Sequence, residues 1–155
     1  GTGWHMYAQD YDEIHVRVSG ASDQRPLWTD ALDPYLKNTG VLVCPSDRTR
    51  VMSGGYAPTQ QVTTGYGAYC YHFGQPSATY QHPADTVILA DATSFRTHVP
   101  AVARGVSGGA ACADGGVTWV HARHMDMANF LFLDGHVKTF RPDVLYSNAI
   151  HWTRN

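Results

Sequence analysis

Charge is what this chain has least of. Asp, Glu, Lys and Arg make up 15% of its 155 residues, against roughly 25% in ordinary soluble domains. The 11 Lys and Arg and 13 Asp and Glu, formal net charge -2, are scattered along the chain. No basic stripe therefore offers a nucleic-acid face, and no acidic block forms a solvating tail. No segment supplies the about 20 consecutive apolar residues that cross a bilayer as a helix. Cys-x-x-Cys is absent too, which removes support for a thioredoxin-like motif or a structural zinc site of familiar spacing. The Gly-rich run from Gly105 to Gly116 lacks a following Lys-Ser/Thr and so gives no phosphate loop. Cys44 stands before Pro45 with no glycine elbow or helix start beside it, so no activated nucleophile is signalled.

What is present fits one domain, residues 1–155, large enough to bury its own core. Nine Tyr and four Trp with abundant Gly, Ser and Thr make an uncharged, aromatic surface. That composition suits subunit contacts and an extracellular or cell-surface setting. Of three cysteines, Cys44 and Cys70 lie next to strand-like segments, so a disulfide between them is plausible in an exported protein. Cys112 is left over, and it can also pair with either, stay free or bridge two subunits.

Along the chain, Trp4, Tyr7, Ala8 and Tyr11 have helical spacing, and Asp10, Asp12 and Glu13 crowd the end of that segment. Acids oppose a helix C-terminus, so the helix should stop near Tyr11. Ile14 to Val18 alternates as a short strand would. Thr29 or Asp30 looks like the cap of a helix running to Asn38 and closed by Gly40, followed by a buried strand Val41 to Cys44. Gly65 to Phe73 reads as an aromatic strand. Thr86 to Ala90 is a wholly apolar run expected at the sheet's centre, buried on both faces. After the Gly/Ala loop, Val117 to Arg123 is a further strand expectation. The tail beyond Arg141 carries Leu145, Ile150 and Trp152 and should pack on something.

The strongest pattern is His124-Met-Asp-Met-Ala-Asn-Phe-Leu-Phe-Leu-Asp134-Gly135-His-Val. Asp-Gly between apolar alternating flanks signals a two-residue hairpin turn. Such a turn pairs Phe132 with Val137, Leu131 with Lys138 and Phe130 with Thr139. The string resembles the H-X9-DG domain at the C-terminus of a large family of bacterial prepilin-like proteins. Tyr7-Ala-Gln-Asp-Tyr-Asp-Glu13, Leu32 to Asn38, Val43-Cys-Pro-Ser-Asp47, Gly65-Tyr-Gly67 and His82 to Asp91 resemble further blocks of that family, in its order.

The resemblance implies an α+β pilin-like head. Residues 1–12 would be the end of an N-terminal helix packed on an antiparallel sheet with long loops, and 117–140 the C-terminal sheet region. It also implies a structural subunit of a cell-surface filament or a type II secretion pseudopilus, assembling with itself or other pilin-like subunits. The apolar half of the family's helix, its only link to a membrane, is absent from this chain.

Catalysis is not expected, and no cofactor is required. His124, Asp134 and Gly135 read as a structural motif, with His124 bonding backbone or the Asp134 carboxylate and Asp134 accepting from turn amides. His124, Asp126, Asp134 and His136 are also candidate ligands for calcium or another divalent metal. Asp91, at the end of the central strand, sits where ligands gather at sheet ends, yet it also serves as a strand terminator. Candidate subunit contacts are Trp4, Tyr7 and Tyr11 at the start and Leu145, Tyr146, Ile150 and Trp152 at the end; intramolecular packing is their alternative role. The rival readings are a surface-anchored metal- or glycan-binding module and a hydrolase with a His-Asp centre.

Overall fold

A computed structural model describes residues 1–16, 28–47, 52–53, 61–62, 64–69, 72, 74–93, 96–97, 120–148 and 151. The fold is mixed α+β. Its helices are α1 (Thr2–Asp10), α2 (Trp28–Leu32) and α3 (Pro142–Tyr146). A small antiparallel pair joins β1 (Met52–Ser53) to β2 (Gln61–Val62). The main sheet contains β3 (Tyr66–Tyr69), β4 (Val87–Asp91), β5 (Arg96–Thr97), β6 (Ala128–Phe132) and β7 (Val137–Phe140) in the order β5-β3-β4-β6-β7. Among the described residues no helix is long and apolar enough to cross a membrane.

β4 is the sheet's centre, as its Val-Ile-Leu run implies. Both of its edges are taken, by β3 and β6, each antiparallel. The chain leaving β4 and turning back can therefore pair only on the free edge of β3, where β5 runs parallel. This one parallel pairing departs from the all-antiparallel expectation. A bulge between Val87 and Leu89 adds a residue to β4 opposite β6. It allows Ile88 and Leu89 to pack with Trp4, Trp28 and Leu131 on one face, while Val87 and Ala90 pack with Phe130, Phe132 and Leu145 on the other.

α1 lays Trp4 and Ala8, one turn apart, against the first of those faces. The Trp4 indole donates to His15 Nδ1 at 3.0 Å. Burial, then the nearby His5, drives the His15 pKa down to about 4, with Glu13 opposing. His15 is therefore a neutral acceptor. The helix ends where the acids begin, and Asp12 and Glu13 both take positive φ.

Three sequence expectations are corrected. The helix expected to reach Asn38 stops at Leu32, because Pro34 has no N–H to continue the ladder, and a 3-10 turn follows at Asp33–Tyr35. Val41 to Cys44 is not a buried strand. The Asn38 side chain accepts from the Gly40 amide at 2.8 Å and caps a 3-10 turn, Thr39–Leu42, which leaves Val41 exposed. The third is the hairpin's register: Leu131 faces Val137, Phe130 faces Lys138 and Ala128 faces Phe140. Its loop has three residues, with only Gly135 at positive φ. The Asp134 carboxylate accepts from the His136 amide at 3.1 Å, closing the turn without the second positive φ that a two-residue loop requires. A Cβ on Gly135 would also lie 2.9 Å from the His5 ring.

Of the segment Val117 to Arg123, Val120 forms a single bridge to Ala92. The rest of its first half, the Gly-rich loop, Cys70, Cys112, Ile150 and Trp152 lie outside the described residues.

Candidate metal centre

Three distant segments meet at the C-terminal end of β4. Asp91 is the last residue of that strand, and alternation puts it on the α1 side with Leu89 and its cross-strand partner Tyr66. His124 is held by a tight turn in which it bonds Met127 through both backbone groups, at 3.0 and 3.1 Å. The two central residues, Met125 and Asp126, both have positive φ, a conformation that disfavours side chains and persists only where surroundings fix it. Cys44 arrives on the loop after the 3-10 turn. Gly65 makes room for it: a Cβ there would lie 2.9 Å from Cys44 Cβ and 2.9 Å from the Arg123 guanidinium.

Cys44 Sγ lies 3.6 Å from His124 Nε2, and the same nitrogen lies 3.4 Å from Asp91 Oδ2. One ligand atom from each residue falls within 4.8 Å of the others, the geometry of a group able to hold a metal ion. Cys44 and Asp91 are buried, whereas the His124 side chain is 30% exposed. Asp91 Oδ2 accepts the Asn129 amide at 2.7 Å, and its buried Oδ1 has no hydrogen-bond partner. Beside the cluster Arg123 forms a buried ion pair with Asp47 and donates to the Ala92 carbonyl at 2.6 Å. Burial, then the charges of Asp91 and Cys44, push the Tyr66 hydroxyl pKa up, with Arg123 opposing.

The arrangement differs from a Cys-His-acid relay in one decisive way. A relay needs the nucleophile on one ring nitrogen and the acid on the other. Here thiol and carboxylate both approach Nε2, which has a single hydrogen or a single lone pair to offer.

The ligand set expected from sequence is thus split. Asp134 Oδ1 sits 2.5 Å from His136 Nδ1, in a local pair with both side chains about one-third exposed. Burial pushes the Asp134 carboxyl up, but hydrogen bonds from the His136 amide and ring outweigh it and hold the pKa below its ordinary value. Asp126 is exposed in its own turn. Asp134 accepts from a turn amide as expected, whereas His124 turns to Cys44 and Asp91 instead. Cys44 is a free thiol, and its expected partner Cys70 is outside the described residues.

Trp4 and Leu145 are core residues, each 2% exposed. They therefore drop out of the expected contact surface. Tyr7, Tyr11 and Tyr146 keep exposed area, and Tyr7 stacks on Tyr11 at 4.2 Å. Sequence reasoning noted Cys44, Asp91 and His124 separately; what it missed was their meeting, which depends on the packing of β4 against the segment before β6.

An open groove of about 380 Å³ lies between α1 and the sheet. Among the described residues it is lined by Trp4, Trp28, Leu32, Leu36, Leu89 and Leu131, with Tyr66 and Asn129 as polar members, and no described lining residue carries a carboxylate, imidazole or thiol. Comparison with family models, curated proteins and solved structures gives no match. The class that fold and site define is an α+β domain with a partly buried thiol–carboxylate–imidazole cluster.

Proposed function

We propose that the chain is a non-catalytic, pilin-like structural head that self-associates into an extracellular or cell-surface filament or contributes to a secretion pseudopilus. The observation that carries this reading is the direction of its reactive groups. His124 and Asp91 face each other and a buried thiol, Asp134 faces its own hairpin, and the groove beside α1 is mainly apolar among the described residues that line it. Substrate chemistry needs such groups beside a site that a substrate can enter. In this head they tie segments together.

The low charge of the chain and the exposed Met6, Tyr11, Val41, Val137 and Val144 suit contacts made by apolar and aromatic surface. In a helical assembly each contact joins two different patches of neighbouring copies. Glycan binding has less support, because the Tyr7 and Tyr11 rings already stack on each other. A divalent cation has a place in this reading as a structural element at Cys44, Asp91 and His124. Calcium fits poorly there, since it takes six to eight oxygen ligands.

Negative-stain microscopy and sedimentation of the native material test self-association. Uniform filaments are the expected result. A monodisperse 17.0 kDa species that stays single at high concentration would overturn the proposal.

A further inference from the structure

We infer that Cys44, Asp91 and His124 are three protein ligands of a tetrahedral, thiolate-accepting metal site of the zinc type. This deepens the reading of the cluster as a structural cation site and does not depend on self-association.

Distances carry the argument. Zinc bonds of about 2.3 Å to sulfur and about 2.0 Å to nitrogen and oxygen, at a tetrahedral angle, separate sulfur from nitrogen by about 3.6 Å and nitrogen from oxygen by about 3.3 Å. Two of the three separations in the protein, 3.6 and 3.4 Å, meet these values, and all three ligand atoms lie within 4.8 Å of one another. Without metal, Nε2 can accept from the Cys44 thiol at 3.6 Å, which leaves the Asp91 carboxylate facing an acceptor nitrogen, or the ring can form an imidazolium–carboxylate hydrogen bond, whose ordinary length is about 2.7–2.9 Å. At 3.4 Å, Nε2 and Oδ2 are too far apart for that bond and spaced as neighbours around a common ion. Both groups also converge on one nitrogen, whose single lone pair can serve a metal but cannot bond two partners.

Charge and hydrogen bonding agree. Arg123 and Asp47 neutralise each other, so a thiolate and the Asp91 carboxylate leave two negative charges for a divalent ion. The Asn129 amide on Asp91 Oδ2 is the kind of outer partner that fixes a ligating carboxylate. Asp91 Oδ1, fully buried and without a hydrogen-bond partner, is an independent sign that something polar is missing beside it. The partial exposure of His124 supplies an entry path. Imidazole with thiolate selects zinc-like ions over calcium or magnesium. The bound ion would clamp the Cys44 loop and the His124 turn onto the end of the central strand.

The test is titration of the full chain with cobalt(II), then competition by zinc. Expected are one equivalent of cobalt, intense visible bands of tetrahedral geometry and a thiolate-to-cobalt charge-transfer band. Cys44→Ser should abolish that band, while Cys70→Ser and Cys112→Ser keep it. His124→Gln should lower zinc affinity by more than the roughly 10–100-fold that loss of an outer partner costs, and Asp134→Asn should leave it unchanged. X-ray absorption of the zinc-loaded wild-type chain keeps the idea testable should Cys44→Ser fail to fold, with one sulfur expected at about 2.3 Å. Failure to bind cobalt, weak octahedral bands, a charge-transfer band surviving Cys44→Ser, or a zinc shell without sulfur would each overturn the site. None of these outcomes bears on filament formation, which microscopy reads separately.

Discussion

Two histidines of this chain each approach an aspartate, and they differ in almost everything else. His136 meets Asp134 two residues away, at 2.5 Å, where both side chains touch water. His124 meets a fully buried Asp91 and, 80 positions from it in sequence, the thiol of Cys44. The closer contact is the weaker device. Exposed pairs are screened and contribute between nothing and about 1 kcal/mol, whereas a buried polar group that loses its partner costs its full desolvation. Burial and long-range connectivity, more than proximity, decide which of the two holds the fold together.

The sharpest way to break that contrast is to remove the cation beside the buried cluster. Arg123→Leu breaks the buried ion pair with Asp47, whose two side chains are only 2% exposed, and should cost about 3–5 kcal/mol. Urea denaturation measures it; a loss below about 1 kcal/mol would mean that the two regions are equally dispensable.

Acid titration gives the next largest effect. The folded pKa of His15 is about 4 against an ordinary 6.5, so the unfolded chain binds the extra proton first. Stability is complete above pH 6.5 and falls as pH drops toward 4, by up to about 3 kcal/mol. In His15→Gln, whose side chain can still accept from Trp4, that slope should disappear. Equal slopes in the two proteins would show that His15 is not the group responsible.

How much of this was legible in the sequence follows from the range of each interaction. Trp4, Tyr7, Ala8 and Tyr11 announced α1 because helical spacing is local, and Val87-Ile-Leu89 announced the central strand because a strand covered on both faces needs no alternation. The hairpin's existence was legible and its register was not, since the Asp134 carboxylate takes over the closing role that a second positive φ was expected to play. Val41 to Cys44 misled because its apolar run is short and Asn38 captures the Gly40 amide before a strand can form. The Cys44, Asp91 and His124 cluster was beyond local reading. Each of its residues was visible, but they come from a loop, a strand end and a turn, with none of the close cysteine spacing that marks a zinc motif in sequence.

A finer probe of the buried region is Gly65→Ala. The new methyl group would meet Cys44 Cβ and the Arg123 guanidinium, both at 2.9 Å, and Arg123 is anchored at both ends of its fork. Overpacking of this kind costs about 1–3 kcal/mol. Thermal unfolding should show it, together with weakened cobalt binding; a fully stable variant would mean that the Cys44 loop is free to move away.

The smallest effect belongs to the exposed pair, and its sign can be worked out. The Asp134 carboxyl is held below its ordinary value of 3.8, so the folded state favours the ionised form. Its contribution is present above that value and fades as pH falls below it, outside the window assigned to His15. Asp134→Asn should therefore cost no more than about 1 kcal/mol at neutral pH and still less in strong acid, where the wild-type carboxyl is protonated too. The substituted amide keeps an oxygen for the His136 N–H, so the hairpin itself should survive. A larger loss at neutral pH, or one that persists unchanged below pH 3.8, would assign Asp134 a role in closing the turn that does not depend on its charge.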